Sequence, residues 1–181
     1  MKHDIYDAFM LDHAIGALCG GLSVAADLHI KLSDDGVERS LLWDIVGGAL
    51  IERDSSSLGS RSVKPRRRKT KPAMTADAIL NVDLSDLNWK NSLSGADMAH
   101  AGLRESHFMR LEPGKNVPAH SHSAIEATVV LEGALEVDGE VFQKGDIAFG
   151  APGEIHKPAA HGDDACVCFV AWGERPFWRL T

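Results

Sequence analysis

His120, His122 and Glu126 are separated by two and four residues and so share parity along the chain. On an extended strand, residues of one parity project from one face, so these side chains can converge inside a β-structure, with Thr128 and Val130 continuing the face. Two imidazoles and a carboxylate gathered in an apolar interior are costly unless a positive charge pairs with them. A divalent cation does so. His156, in the turn Pro152-Gly153-Glu154-Ile155-His156, can add a fourth ligand from another strand. Three histidines and one glutamate suit zinc, iron, manganese or nickel, and affinity order alone does not choose among them. One divalent ion, zinc before the others, is the cofactor expected in the back half of the chain.

The remaining reactive side chains make weaker cases. His107 falls on a strand and reads as a core or surface residue, and His100 and His161 fall in polar loops. Cys166 and Cys168 share a strand face; core packing is favoured for them, with a redox role as the alternative. Three cysteines are too few, and odd in number, for a disulfide framework. No Ser-His-Asp order, Walker loop or dinucleotide fingerprint is present.

The elements that must position these residues change character along the chain. From Leu84 onward short alternating segments are separated by turns: Phe108 to Leu111 before Pro113-Gly114, Thr128 to Leu131 before Gly133, and Leu135 to Val137 turned by Asp138-Gly139 into Val141-Phe142. Ile147 to Phe149 and Cys166 to Ala171 follow. Such strands with Gly-rich turns imply an all-β sandwich or barrel over residues 76–181. Residues 1–52 instead carry apolar residues at helical spacing, beginning with Ile5, Phe9, His13 and Ala17 beside Tyr6, Met10 and Ala14. Gly20-Gly21 should stop that helix, and a second is expected from about Leu22 to Leu32. A third, capped by Asp35 with Glu38, should offer Leu41, Leu42, Ile45 and Ala49 to a core. Three such helices bury little surface and need a metal, a docked neighbour or a partner protein.

Residues 53–75 join the two parts. They carry eight basic groups against Asp54 alone, between two acidic bodies in a chain of net charge −7. Their Ser-, Gly-, Pro- and Lys/Arg-rich composition reads as a flexible linker rather than a specific nucleic-acid site. No apolar run is long enough to span a bilayer and no signal peptide is evident, so a cytoplasmic protein with no membrane association is expected.

The back half resembles the cupin jelly-roll barrels. Gly114, His120, His122, Glu126 and Gly133 stand at the intervals of the first cupin motif, and Gly145, Gly153 and His156 at those of the second. Two departures are Pro152, one position late, and Ala160, where an Asn is usual. The whole chain resembles the ChrR-type anti-sigma factors, on His120-Ser121-His122, Glu126 to Gly133, His156-Lys157-Pro158 and Cys166-Val167-Cys168. Asp7-Ala8-Phe9, His29 and Asp44 to Glu52 carry it in the front part. The resemblance implies an α+β, multi-domain chain: a short helical anti-sigma domain (1–52), a linker (53–75) and a cupin (76–181).

It also implies a function. The helical part would hold a group IV (extracytoplasmic-function) sigma factor away from RNA polymerase, and a zinc-bearing cupin would release it under singlet oxygen or peroxide stress. The partner-facing stripe would be Phe9, Met10, Leu41 and Ile45. The zinc signature of the helical domain in that family, His-x3-Cys-x2-Cys with an earlier His, is broken here, because Ser33 and Gly36 follow His29 where the cysteines belong. No metal is therefore expected in residues 1–52. A metal-dependent cupin enzyme, a dioxygenase or isomerase, is the alternative; it leaves the helical prefix unexplained. A homodimer through the cupin is compatible with either.

Overall fold

The structure, a computed structural model, describes residues 2–18, 20–55, 74–92 and 95–173. The basic cluster at 61–71 and Cys19 lie outside the described residues, as does the side chain of His3.

Three helices come first: α1 (Lys2–Ala14), α2 (Gly20–Leu32) and α3 (Asp34–Ser55). The first ends before its apolar repeat does, with Gly16 at a φ of 71°, and Gly20 opens α2 rather than stopping α1. The cap of α3 is Ser33, not Asp35: the Gly36 amide donates to the Ser33 hydroxyl at 3.2 Å, the N-cap-to-N3 bond. The helix also runs past Glu52 to Ser55. A short helix α4 (Ala76–Leu80), capped by Thr75, leads to the strands.

The strands are β1 (Lys90–Asn91), β2 (Asp97–His100), β3 (Ser106–Leu111), β4 (His120–Ser121), β5 (Ile125–Glu132) and β6 (Ala134–Val137). There follow β7 (Glu140–Gln143), β8 (Ile147–Gly150), β9 (Ile155–His156), β10 (Pro158–Ala160) and β11 (Cys166–Gly173). A six-stranded sheet in the order β1-β2-β3-β11-β5-β8 faces a three-stranded sheet, β10-β6-β7, and the pair β4-β9. Every paired strand is antiparallel. The sheets are open at their edges, as in a jelly-roll sandwich. Asp138-Gly139 makes the β6–β7 hairpin, both residues at positive φ.

Between the sheets lie Met109, Leu111, Val130, Leu135, Cys166, Cys168 and Val170. The other face of the large sheet is not solvated. Phe108, Ile125, Ala127, Val129, Phe169 and Ala171 on that face form one core with Ile5, Phe9, Met10, Leu22, Ala25 and Leu28 of α1 and α2. Nearly every residue of β5 and β11 is therefore buried. Close approach is permitted at Gly21, where a Cβ would lie 2.9 Å from that of Ala171 and 3.0 Å from that of Ser106. The marginal helical unit is thus stabilised by a docked neighbour, and full burial of each large apolar side chain contributes about 1.5–3 kcal/mol.

This packing corrects two expectations. Phe9 and Met10, expected on a partner-facing surface, are 0% and 1% exposed, with the Phe9 ring 5.0 Å from that of Phe149 in β8. Leu41 and Leu42, expected in a core, are 60% and 61% exposed, and Ala49 is exposed too. The physical reason is layering. The outer sheet face is a large apolar surface that α1 and α2 cover, while α3 packs on α1 and α2 and leaves its far side open.

Candidate metal centre

The predicted ligands come together, though not from one strand. His120 lies on β4 opposite His156 on β9. The chain then bends, and Glu126 lies on β5 opposite Gly150 on β8 and Trp172 on β11. His122, in the bend, is tied down by a bridge to Pro152 and by the Gly153 amide, which donates to its carbonyl at 2.8 Å. Pro152, out of step with the usual motif, thus sits where it buttresses a ligand.

His120, His122 and His156 offer ring nitrogens that all lie within 4.8 Å of one another. The Nε2 atoms of His122 and His156 are 3.1 Å apart, and those of His156 and His120 are 3.2 Å apart. Four ligands held at about 2.0–2.1 Å around a tetrahedral ion stand roughly 3.3 Å from one another. Glu126 borders this group on the side of His122 and His156, its Oε2 3.2 Å from His122 Nε2 and its Oε1 3.9 Å from His156 Nε2. The donor set fits a divalent ion.

Protonation agrees with that reading. His120 Nδ1 sits 2.8 Å from the Pro118 carbonyl, which can only accept, so Nδ1 carries the proton and Nε2 presents its lone pair. Burial, with the neighbouring His120 and His122, pushes His156 down to about 4, which keeps it a neutral ligand near pH 7. Burial pushes the Glu126 carboxyl up; His122, His120 and a 3.4 Å bond from the Thr128 hydroxyl pull it back. Glu126 and His156 are buried while His120 and His122 are half-buried, so the centre opens towards solvent on the β4 side.

The other residues fall where the weaker readings put them. His100 Nδ1 accepts from the Gly102 amide at 2.8 Å, and exposed His161 sits 3.2 Å from Glu136. His107 packs on Trp172, and burial lowers its pKa. Cys166 and Cys168 are buried with their sulfurs 3.5 Å apart. The Cys166 hydrogen bond and burial hold the Cys168 thiol well above its usual range, so it rests as a thiol and not as a thiolate.

Sequence spacing did not point to Gly150. A Cβ there would lie 2.8 Å from His156 Cε1, so only glycine lets that ring reach the centre. The available signal was the bare glycine at the end of an apolar strand, a mark of close approach.

A jelly-roll sandwich with a three-histidine, one-carboxylate cluster between its sheets defines a cupin. Residues 78–176 match the model of the ChrR cupin-like domain, and the chain belongs to that family. It is similar to the anti-sigma-E factor ChrR of Cereibacter sphaeroides, 28% identical over an alignment of 191 residues that covers 94% of this chain and 89% of the relative. It is also similar to a chain in the crystal structure of Rhodobacter sphaeroides SigE in complex with the anti-sigma ChrR. That match has a TM-score of 0.69 and 25% identity, and covers 92% of this chain and 96% of that one. The likeness to both runs through the helices as well as the cupin.

Proposed function

We propose that this protein is an anti-sigma factor: its helical unit binds a group IV sigma factor, and its cupin governs release in response to an oxidant such as singlet oxygen or a peroxide. The observation that carries the reading is the open side of α3. Val37, Leu41, Leu42, Ile45 and Val46 recur at helical spacing and stand 53%, 60%, 61%, 71% and 42% exposed. Apolar residues contiguous on one helix face mark an interaction site rather than ordinary surface. They belong to a helical unit like that of a relative whose structure is a complex with SigE. Of the four residues read as partner-facing, Leu41 and Ile45 are exposed, whereas Phe9 and Met10 would become available only if the helices left the sheet.

In this reading zinc is held by His120, His122, His156 and Glu126, in the cytoplasm, with no specific nucleic-acid contact. Bound there, the ion supplies positive charge that neutralises Glu126 and fixes the three imidazoles. Cys166 and Cys168, side by side in the interior, are the thiols a hydroperoxide would join as a disulfide, leaving an alcohol and water. Burial of both sulfurs and the raised pKa of Cys168 make that step slow until the interior opens.

The test is co-expression of the full chain with each group IV sigma factor of its own cell, read by gel filtration, which also reports pairing of cupins. A one-to-one complex is expected, lost in Leu41→Glu/Ile45→Glu and dissociated by hydroperoxide. Failure of every sigma factor to co-elute with the wild-type chain would sink the proposal.

A further inference from the structure

His29 is 5% exposed and lies near the C-terminal end of α2. Its surroundings are those of a joint. Nδ1 donates to the carbonyl of Gly145 in the β7–β8 turn at 2.7 Å, a buried bond between residues 116 apart in the chain. Because that nitrogen carries the proton, Nε2 accepts, and the Tyr6 hydroxyl donates to it at 3.0 Å. The Tyr6 ring meets His29 edge-on at 5.6 Å and Phe149 at 6.5 Å. One imidazole thus ties α1, α2 and the cupin together.

The backbone on both sides has closed around this joint. A Cβ on Gly145, which has a φ of 91°, would lie 2.6 Å from the Leu32 carbonyl oxygen and 3.1 Å from the Leu32 Cβ. A Cβ on Gly36, at the start of α3, would lie 2.8 Å from the His29 carbonyl oxygen and 3.0 Å from the Ile30 Cα. Ser33 meanwhile caps α3. The residues following His29 therefore fill a tight corner. A larger side chain at Gly36, a cysteine included, would force α3 off α2. Among the described residues, both ring nitrogens of His29 are engaged by protein groups and Ser33 and Gly36 supply no thiolate, so these residues do not make a metal site.

We propose that His29 is a latch residue: with Tyr6 and Gly145 it docks the helical unit onto the β7–β8 turn of the cupin by hydrogen bonds, in a corner that holds no metal. The helices are then kept folded by the cupin rather than by an ion of their own. Docking and folding of residues 2–55 become one event, because α1 and α2 bury against the sheet the surface they could not cover alone.

The test uses the full chain with its cupin metal. Amide hydrogen exchange is followed in α1, α2, β5 and β11, and metal is counted per chain, for wild type, His29→Ala, His29→Asn and Gly145→Ala. An Asn amide nitrogen occupies nearly the position of Nδ1 and can keep the bond to the Gly145 carbonyl. His29→Ala is expected to speed exchange of the protected amides of α1 and α2 about 5- to 30-fold, with β5 and β11 unchanged. His29→Asn should recover part of that protection, and Gly145→Ala, which forces Leu32 away, should loosen the same helices as His29→Ala. Metal content should stay at one ion per chain throughout. A second ion per chain in the wild type, lost in His29→Ala and not regained in His29→Asn, would make His29 a ligand and overturn the latch. So would unchanged helix protection in both His29→Ala and Gly145→Ala. Should His29→Ala prove insoluble, the Gly145→Ala and His29→Asn comparison decides by the same readouts.

Discussion

Gly150→Ala should damage the metal centre without damaging the fold. The backbone of Gly150 is ordinary strand, so alanine costs nothing there in conformation. The added methyl carbon is the whole perturbation. It would stand 2.8 Å from His156 Cε1 and 3.3 Å from its Nδ1, whereas non-bonded carbons rest about 3.5–4.0 Å apart. The ring must therefore retreat by roughly 0.7–1.2 Å. His156 is 6% exposed, so its ring has little free space to move into. Ligand distances tolerate about ±0.2 Å, so Nε2 leaves bonding range or drags β9 with it. Perturbations just outside the ligand set lower metal affinity about 10–100-fold, and displacement of a ligand itself belongs at the upper end. The assay is competition against a chromophoric chelator, with circular dichroism and urea unfolding of the metal-free protein as the fold control. Gly133→Ala is the contrasting variant. Its φ is 69° and its Cβ would strike the Ala165 carbonyl, far along the chain from any ligand, so it should lower stability and leave affinity within a few-fold. A Gly150→Ala protein that folds and binds metal as tightly as wild type would show that His156 does not need its present position, and the four-ligand geometry would be wrong.

Two smaller effects follow from the same structure. Glu105 holds a φ of 57° while its carbonyl accepts from the Trp172 amide at 3.0 Å; Glu105→Gly should relieve the left-handed strain and raise stability by about 0.5–1 kcal/mol in urea unfolding. Burial depresses the pKa of His107 below its ordinary 6.5, so above that pH both states are neutral and nothing is lost. As pH falls through 6.5 towards the lowered folded value, the unfolded chain takes the proton first and stability drops; His107→Gln should lose less between pH 7.5 and 5.5 than wild type.

Much of the centre was legible because metal chemistry constrains both residue type and spacing. Shared parity grouped His120, His122 and Glu126, which do lie near one another, yet for a reason only partly right. The chain does not stay extended through them, since β4 and β5 belong to different sheets with a bend at His122 between. The strands were legible from Gly turns and alternation. What alternation hid was the second buried face. Ile125 to Leu131 and Cys166 to Ala171 carry apolar or small residues on both parities, with Glu126 and Thr128 as the polar exceptions, and that is how a strand covered on both sides reads. Taken that way, they would have called for a cover, and the first two helices were the available cover. Helical periodicity at Leu41 and Ile45 showed an apolar face but could not tell a core from a docking face, because both have the same spacing.

These placements single out β8 as the connection between the two halves. It is the last strand of the large sheet in the order β1-β2-β3-β11-β5-β8, so that sheet holds it on one side only, by β5. β5 and β11, each paired on both sides, are anchors. Along β8, alternation divides the contacts. Gly150 backs onto the His156 ring, while Phe149 turns outward to Tyr6 and Phe9. The turn that opens the strand carries Gly145, which accepts from His29. A shift of His156 presses on a strand that is short, singly paired and loaded on its far side by the helices. Moving β5 instead would break pairing with β8 and β11 together, at about 0.5–1.5 kcal/mol for each backbone bond lost. Of the large-sheet strands beside the metal residues, β8 is the one that can move least expensively and the one whose movement the helices would feel.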